Sequence, residues 1–246
     1  MTGYVTEISS NGRIVGAYGE PSQAAEFRDD GSVVLLPIPT DYKFCVAYGI
    51  ADDGTIAGTC SLPDLNKRIF TWDSAGVARP LHDLAPSPYN RVMDMNRHGV
   101  ILELQRVGSD LSYWTHDLRS GKRTKVPFEG GAFGQAFSVN DTGDIVGYIG
   151  DIEERKALKW SGDPLVATVL AAPRGPPELD YNCYARATGI NNRGAIVGYV
   201  CNPAAIPFSP PIPEKVVVWS SASAFPKELP PLRTLPGHTY WHTRPP

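Results

Sequence analysis

Hydrophobic and polar residues alternate along two short stretches that flank a polar turn, and this pattern occurs five times in the chain. The clearest copy is ATGINNRGAIVGYV, residues 187–200. The turns end in glycine at residues 12, 54, 99, 143 and 194, which lie 42 to 51 residues apart. Alternation predicts β-strands, and glycine allows the positive φ of a tight hairpin turn. The chain is therefore built from five repeats.

Each repeat continues into a second predicted hairpin that carries one large aromatic residue. We place five residues at one equivalent position: Phe27, Trp72, Trp114, Trp160 and Trp219. Four short strands in a repeat of this length are typical of a β-propeller blade. The sequence predicts an all-β, five-bladed β-propeller over residues 1–235, with blades at about 2–38, 44–84, 89–128, 133–170 and 184–232 and a tail at 236–246. A superhelical β-solenoid is the alternative, but its coils are usually shorter.

Two kinds of connection are long and variable, whereas the turns within the hairpins are short. One kind joins the two hairpins of a repeat, such as the proline-rich 202–214. The other leads from the outer strand to the next repeat, such as 171–182. In an up-and-down blade both kinds emerge on the same side. Because variable loops on a rigid scaffold carry many binding sites, we expect the binding face there.

Charge and composition argue against several classes of function. With 23 basic and 26 acidic residues among 246, and no run of like charge, the chain lacks a nucleic-acid footprint. No apolar stretch reaches the roughly 18 residues that span a bilayer, and the first residues, MTGYVTEISS, do not have the pattern of a signal peptide. The nucleophile elbow of serine hydrolases, a phosphate-binding glycine loop and the HExxH motif do not occur. We expect a monomer with no cofactor and no membrane span.

The pattern LxxLxG…YxxAxGINxxGxIVGY…W…G resembles the HAF repeat, which is found in extracellular, mostly bacterial proteins. The resemblance covers all five repeats and is closest in the fifth and the fourth. The His-Ala-Phe that gives the family its name does not occur; the nearest segments are 23–25 and 156–158. The resemblance implies export and a binding role, and it supplies no catalytic residues.

Four cysteines form two pairs at equivalent positions of two repeats. Cys45 and Cys60 flank the first hairpin of the second repeat, and Cys183 and Cys201 flank that of the fifth. Opposed residues of antiparallel strands have Cα atoms roughly 4.5–5.5 Å apart, which suits a disulfide. We expect two disulfides and hence a secreted or periplasmic protein; the alternative is four buried thiols. No CxxC occurs and the histidines lie elsewhere in the sequence, so no metal site is expected.

In four repeats an aromatic residue lies six residues before the apolar residue that recurs near the turn, which is Ile50, Met95, Val139 or Ile190. The aromatic residues are Phe44, Tyr89, Phe133 and Tyr184. If the propeller closes, their rings lie near the mouth of its channel, where they offer apolar faces to a sugar or another flat ligand. Packing between blades is the alternative role, because a recurring position serves it equally well.

The third repeat departs from the pattern at two positions that become acidic. Glu103 stands where the other repeats have glycine, and Asp94 stands where two of them have glycine; the first repeat has Glu7 there. Counting across the hairpin places Asp94 and Glu103 as diagonal neighbours on one face. Such a pair could act in glycoside hydrolysis or bind a cation. The alternative is a decayed repeat whose carboxylates pair with Arg91, Arg97 or Arg106 between blades.

The C-terminal TLPGHTYWHTRPP resembles the start of a sixth repeat that stops before its glycine. By analogy with the other connections, it brings four residues to the channel mouth: His238, Tyr240, Trp241 and His242. Histidines four residues apart match a metal-binding spacing only on a helix, and this segment has no helical pattern. The alternative is a tail without a role.

These patterns predict a secreted binding module for a carbohydrate or another small molecule. Its predicted ligand-binding residues are Phe44, Tyr89, Phe133, Tyr184, Tyr240 and Trp241. The alternative is an enzyme, a glycosidase-like hydrolase or a lyase or isomerase, with Asp94, Glu103, Glu7 and His238 as catalytic residues. A surface scaffold without a small-molecule site is the third possibility. Burial of Glu103 in a salt bridge between blades would count against the enzyme.

Overall fold

A computed structural model of the protein describes residues 2–9, 11–128, 133–150, 155–172, 184–201 and 214–230. These residues form five antiparallel sheets, each built from four strands that follow one another in the chain. From the first sheet to the fifth, successive sheets pack through their first strands. This arrangement is the predicted five-bladed β-propeller, and each described sheet takes all its strands from one repeat.

The strands are numbered in chain order, four to a blade. Blade 1 contains β1 (Gly3–Ile8), β2 (Ile14–Tyr18), β3 (Gln23–Phe27) and β4 (Val33–Leu35). Blade 2 contains β5 (Phe44–Ile50), β6 (Ile56–Ser61), β7 (Lys67–Trp72) and β8 (Ala78–Pro80). Blade 3 contains β9 (Arg91–Met95), β10 (Val100–Val107), β11 (Asp110–Asp117) and β12 (Arg123–Lys125). Blade 4 contains β13 (Gly134–Val139), β14 (Ile145–Ile149), β15 (Lys156–Ser161) and β16 (Val166–Val169). Blade 5 contains β17 (Ala185–Ile190), β18 (Ile196–Cys201), β19 (Glu214–Trp219) and β20 (Lys227–Glu228).

The five hairpin turns between the first and second strands have the backbone geometry that the sequence predicts. Their glycines, at residues 12, 54, 99, 143 and 194, have φ between 78° and 89°, where other residues are strained. We call the side of the propeller that carries these turns the turn face. The opposite side, where each second strand ends and each third strand begins, is the loop face.

An asparagine at the start of the turn joins neighbouring blades. In blade 4, Asn140 Oδ1 accepts hydrogen bonds from the backbone N–H of Thr142 (3.1 Å) and Asp144 (2.9 Å), which closes its own turn. Its Nδ2 donates to Asn191 O of blade 5 at 3.2 Å. Asn96 of blade 3 closes its turn in the same way and donates to Asn140 O at 2.9 Å. Asparagine suits this position because its amide carries both an acceptor and donors.

A buried tryptophan on the third strand joins each of blades 2, 4 and 5 to the blade before it. Trp72, Trp160 and Trp219 are fully buried. Each indole N–H donates to the carbonyl of the second residue after the outer strand of the preceding blade. These bonds run from Trp72 to Pro37 (2.9 Å), from Trp160 to Pro127 (2.8 Å) and from Trp219 to Ala171 (2.7 Å). The tryptophan therefore contributes both packing and a specific hydrogen bond to the interface between blades.

Blade 3 is the exception, and the prediction that Trp114 is equivalent to these tryptophans is wrong. In blades 2, 4 and 5 the first isoleucine of the second strand pairs with the tryptophan, but in blade 3 Ile101 pairs with His116. Trp114 lies two residues earlier, opposite Glu103. The aspartate that starts the next turn follows Trp72 directly as Asp73, and it follows His116 directly as Asp117. The equivalent residues of the third strands are therefore found by counting back from this turn aspartate, and not by matching one tryptophan to another.

A glycine on the second strand leaves room for the tryptophan and for the first strand. A Cβ atom at Gly58 would lie 2.9 Å from the ring of Trp72 and 2.4 Å from Val46 O. At Gly147 it would lie 1.9 Å from Gln135 O, a backbone atom that cannot move alone. Blade 3, which lacks the tryptophan, carries Glu103 at this position.

The predicted disulfide in blade 2 is present. Cys45 and Cys60 are directly opposed on β5 and β6, and their Cα atoms are 4.1 Å apart in a Cys45–Cys60 disulfide. A disulfide is typical of oxidising compartments and so indicates a location outside the cytoplasm. The second predicted disulfide lies outside the described part of the chain, which includes neither Cys183 nor the side chain of Cys201. The predicted tail, 236–246, lies outside them as well.

Removal of the blade 2 disulfide in a C45A/C60A variant is expected to lower the free energy of unfolding by about 3 kcal/mol. The crosslink closes a loop between residues 15 apart and restricts the unfolded chain. For a chain of this size the melting temperature then falls by roughly 6–12 °C. Calorimetry of the variant and the unreduced parent gives the difference. Alkylation of Cys45 and Cys60 in unreduced, unfolded parent protein would show that the crosslink is absent.

Candidate functional site

A cleft of about 630 Å³ opens on the loop face between blades 3 and 4. The start of β9, the end of β10, the start of β11, the segment after β12 and the start of β13 form its walls. We call it the 3–4 cleft. It is lined by Pro88, Tyr89, Arg91, Leu104, Asp110–Tyr113, Lys125, Val126, Phe128 and Phe133–Gln135. This is the face on which the sequence predicts the binding site.

Two of the four predicted aromatic residues lie at the mouth of the 3–4 cleft. Tyr89 is 45% exposed and Phe133 is 63% exposed, so both rings are open to solvent and line the same cleft. Phe44 begins β5 of blade 2, Tyr184 directly precedes β17 of blade 5, and neither lines this cleft. Tyr240 and Trp241 lie outside the described residues. The structure therefore brings together Tyr89 and Phe133, and not the full predicted ring of aromatics.

The inner wall of the cleft is aromatic and tightly packed. The rings of Tyr113 and Phe128 have centroids 5.6 Å apart, and Phe128 also packs at 5.1 Å from Trp160 of blade 4. A Cβ atom at Gly134 would lie 2.4 Å from the Phe128 ring, so glycine at the start of β13 lets this ring fit. Tyr113, Phe128 and Gly134 were not predicted as site residues. Their role depends on the packing of two blades.

Polar groups surround the aromatic wall. Lys125 Nζ lies 2.9 Å from Asp110 Oδ2 on the exposed rim, and this contact keeps the pKa of Asp110 below its usual range. Arg106 lies over the Tyr89 ring, with its Cζ 5.2 Å from the ring centroid. Burial raises the pKa of Tyr113, and the nearby Arg91 opposes this effect, so the hydroxyl is protonated at neutral pH. The cleft offers hydrogen-bond donors and aromatic faces, and its lining carboxylate, Asp110, is held in an ion pair.

A second cavity, of about 670 Å³, lies on the turn face at the propeller axis and has lining residues from all five blades. It contains Glu7 and Asp94, two of the predicted catalytic residues. Burial raises the pKa of both carboxyl groups, and the negative charge of Asp94 raises that of Glu7 further. Asp94 accepts backbone hydrogen bonds from Met95 and, in blade 4, from Val139, both at 2.8 Å. Oδ1 of Asp94 is thus bonded within its own strand, and Oδ2 joins blade 3 to blade 4.

Glu103 lies apart from this cavity, so the predicted pairing of Asp94 with Glu103 is wrong. Asp94 pairs with Leu102, which precedes Glu103 on β10, and successive residues of a strand point to opposite faces. A β-bulge after Leu102 then places Glu103 opposite Val92. The alternation of β10 alone therefore puts Asp94 and Glu103 on opposite faces, and the bulge lies beyond the Asp94–Leu102 pair.

Glu103 is fully buried between blades 2 and 3 in an ion-pair network. His82 Nε2 lies 3.0 Å and 2.9 Å from its two carboxylate oxygens, and Arg123 Nη2 lies 3.1 Å from Oε1. The expected partners Arg91, Arg97 and Arg106 do not make this contact; the cation is Arg123. Of the predicted catalytic set, His238 lies outside the described residues. Of the described members of the set, Glu7 and Asp94 share the cavity at the propeller axis, and Glu103 lies outside it.

Solved structures with a similar fold come from several bacteria. A putative TolB from Agrobacterium tumefaciens matches with a TM-score of 0.61 and 13% identity over 90% of this chain and 78% of that chain. An uncharacterized protein from Listeria monocytogenes matches with a TM-score of 0.58 and 17% identity over 92% and 68%. A virginiamycin B lyase from Staphylococcus aureus matches with a TM-score of 0.50 and 12% identity over 93% and 84%. At such identities the likeness concerns the fold alone.

Sequence comparisons add no family to this result. No protein-family model matches the chain, and no curated protein matches it. The resemblance to the HAF repeat therefore stays a prediction. The described residues contain no helix of the length and apolarity needed to cross a membrane. The fold is that of a β-propeller, and its loop face carries an aromatic cleft between two blades.

Proposed function

We propose that this protein is a secreted binding module that holds a carbohydrate or another small hydroxylated molecule in the 3–4 cleft. The observation that carries the proposal is the pair of exposed rings, Tyr89 and Phe133, at the mouth of a cleft of about 630 Å³. Ligand sites usually have volumes of about 300–1,000 Å³ and combine apolar walls with a few polar groups. A binding role also agrees with what the resemblance to the HAF repeat implies.

Each part of the cleft has a role in this proposal. Tyr89 and Phe133 offer apolar faces on which the C–H groups of a sugar ring pack. Arg91 and Gln135, on the walls, and the Asp110–Lys125 pair, on the rim, supply hydrogen bonds to hydroxyl groups. The packed wall of Tyr113 and Phe128 keeps the cleft open without a ligand, which lowers the entropic cost of binding.

The enzyme alternative loses its main support. Retaining glycosidases need two carboxyl groups about 5–5.5 Å apart and inverting ones need about 6.5–9.5 Å, both facing the substrate. Glu103 is fully buried and does not line the cavity that contains Asp94. The 3–4 cleft contains one aspartate, Asp110, which is paired with Lys125.

The test begins with a mixed panel of neutral glycans and hydroxylated metabolites, with the retained and free fractions read by mass spectrometry. Retention of an unchanged compound is expected. Y89A and F133A variants should then each raise the Kd of that compound about tenfold or more, because buried aromatic contacts dominate such interfaces. F225A is the matched control: Phe225 is 75% exposed on blade 5, away from the cleft, and its loss should leave the Kd unchanged.

Other outcomes would contradict the proposal. An equal loss of affinity in F225A, or no loss in Y89A and F133A, would place the ligand elsewhere on the propeller. A new product mass in the free fraction would make the protein an enzyme. Failure of the whole panel to bind would favour a surface scaffold.

A further inference from the structure

The interface between blades 2 and 3 departs from the repeat at three positions that meet in space. His116 occupies the position of the buried tryptophan, and Glu103 occupies that of the second-strand glycine. His82 is the second residue after β8, where blades 1, 3 and 4 have Pro37, Pro127 and Ala171 as acceptors of the indole bond. All three replacements introduce side chains that can bind a metal ion.

These three side chains lie within reach of one ion. One ligand atom from each of His82, Glu103 and His116 lies within 4.8 Å of the other two. His82 Nε2 is 2.9 Å from Glu103 Oε2, and the rings of His82 and His116 stack with centroids 4.9 Å apart. Two ligands about 2.1 Å from a tetrahedral ion lie roughly 3.4 Å apart. The three atoms therefore lie near the spacing that one tetrahedral ion requires.

One imidazole nitrogen of the cluster has no partner in the described part of the chain. His116 Nδ1 is buried from solvent and makes no hydrogen bond to any described group. A buried polar atom of this kind normally costs stability unless something satisfies it.

The carboxylate is oriented by neighbours that resemble the outer shell of a metal site. Gln105 Nε2 donates to Glu103 Oε2 at 3.0 Å, and Arg123 Nη2 donates both to Glu103 Oε1 at 3.1 Å and to Gln105 Oε1 at 2.7 Å. Such hydrogen bonds fix the direction of a ligand and are usual around bound metal ions. Arg123 stays bonded to Gln105 if its contact with Glu103 lengthens.

We propose that His82, Glu103 and His116 form a binding site for a divalent transition-metal ion, with Zn²⁺ as the best fit, that joins blades 2 and 3. Two histidines and a glutamate are a known zinc ligand set, which leaves a fourth position for water. The ion would take over the role of the tryptophan bond at this interface. The single, scattered histidines gave no such signal in the sequence, because the ligands come from two blades.

The probe is Zn²⁺ alone, added to the full chain after dialysis against EDTA. We expect one Zn²⁺ per chain by calorimetry, and a melting temperature raised by about 5–10 °C at a hundredfold excess of free Zn²⁺ over the Kd. H116F should weaken binding by more than the roughly 10–100-fold that loss of an outer-shell partner costs. Phenylalanine is chosen because Phe27 holds the equivalent position of blade 1. E103Q keeps the size of the glutamate and should weaken binding similarly.

Control variants separate this site from other histidines. H98N changes a partly exposed turn histidine, and H238N/H242N changes two tail histidines; both variants should bind Zn²⁺ as the parent does. Circular dichroism checks that each variant is folded, and H82N replaces H116F if the latter is not. Loss of binding in H238N/H242N, or equal affinity in the parent and H116F, would overturn the proposal. No binding to the parent at all would show that the cluster is an ion pair only.

Discussion

Replacement of Glu103 by glycine is expected to lower the free energy of unfolding by about 3 kcal/mol, although it restores the repeat pattern. Removal of one partner of a buried ion pair costs about 3–5 kcal/mol because the other charge stays buried. Glu103 is fully buried, while the Arg123 side chain retains 30% exposure and can turn toward water. The lower end of the range therefore applies. Urea unfolding of E103G and the parent, both in EDTA, measures the loss without any metal contribution.

A double variant shows whether the loss belongs to the ion pair. In blade 2, Gly58 makes room for the ring of Trp72. The E103G/H116W variant places the same two residue types at the equivalent positions of blade 3. We expect E103G/H116W to regain most of the lost stability, since well-packed apolar groups often replace a buried ion pair without cost. The new indole lies where it can donate to the carbonyl of His82, as Trp72 does to Pro37. If E103G unfolds at the same urea concentration as the parent, the network does not stabilise the interface.

Truncation of Trp160 to alanine is expected to lower the free energy of unfolding by about 3–5 kcal/mol. The side chain is fully buried, packs against Phe128 at 5.1 Å between ring centroids and donates to Pro127 O. The variant loses this packing and leaves a cavity between blades 3 and 4. The melting temperature should fall by roughly 6–20 °C, as read by calorimetry.

Trp114 provides the matched control. It is partly exposed, and its ring contacts Arg123 Cζ at 4.7 Å and Lys125 Nζ at 5.8 Å from the ring centroid. Exposed contacts of this kind contribute about 0.5–1 kcal/mol each, so W114A should be much milder than W160A. Equal losses in the two variants would contradict the register in which His116, and not Trp114, holds the tryptophan position.

The repeat architecture could be predicted because its signals are local. A turn that needs positive φ selects glycine at one position whatever surrounds it, so the turn glycines mark all five blades. Cys45 and Cys60 could be paired because opposed positions on a hairpin follow from counting. Counting failed for Asp94 and Glu103, which were placed on one face: Asp94 opposes Leu102, so the alternation of β10 puts Glu103 on the other face.

The candidate sites depend on contacts between blades. No short stretch of the sequence predicts such contacts. Tyr89 and Phe133 could be chosen from their recurring position, but the cleft between them exists because Phe128 packs over Gly134. His82 and Glu103 are 21 residues apart in the chain and belong to different blades. Their contact follows from how two sheets stack, and from nothing in either segment by itself.

The sequence by itself determined the number of blades, their strand order and the face on which long connections gather. Those features follow from turn chemistry and from the alternation of strands, which act over a few residues. The tertiary structure alone decided which side chains meet: His116 in place of a tryptophan, Glu103 away from Asp94, and an aromatic cleft between blades 3 and 4. These contacts depend on how one sheet packs on the next, and that packing involves residues that are distant in the chain.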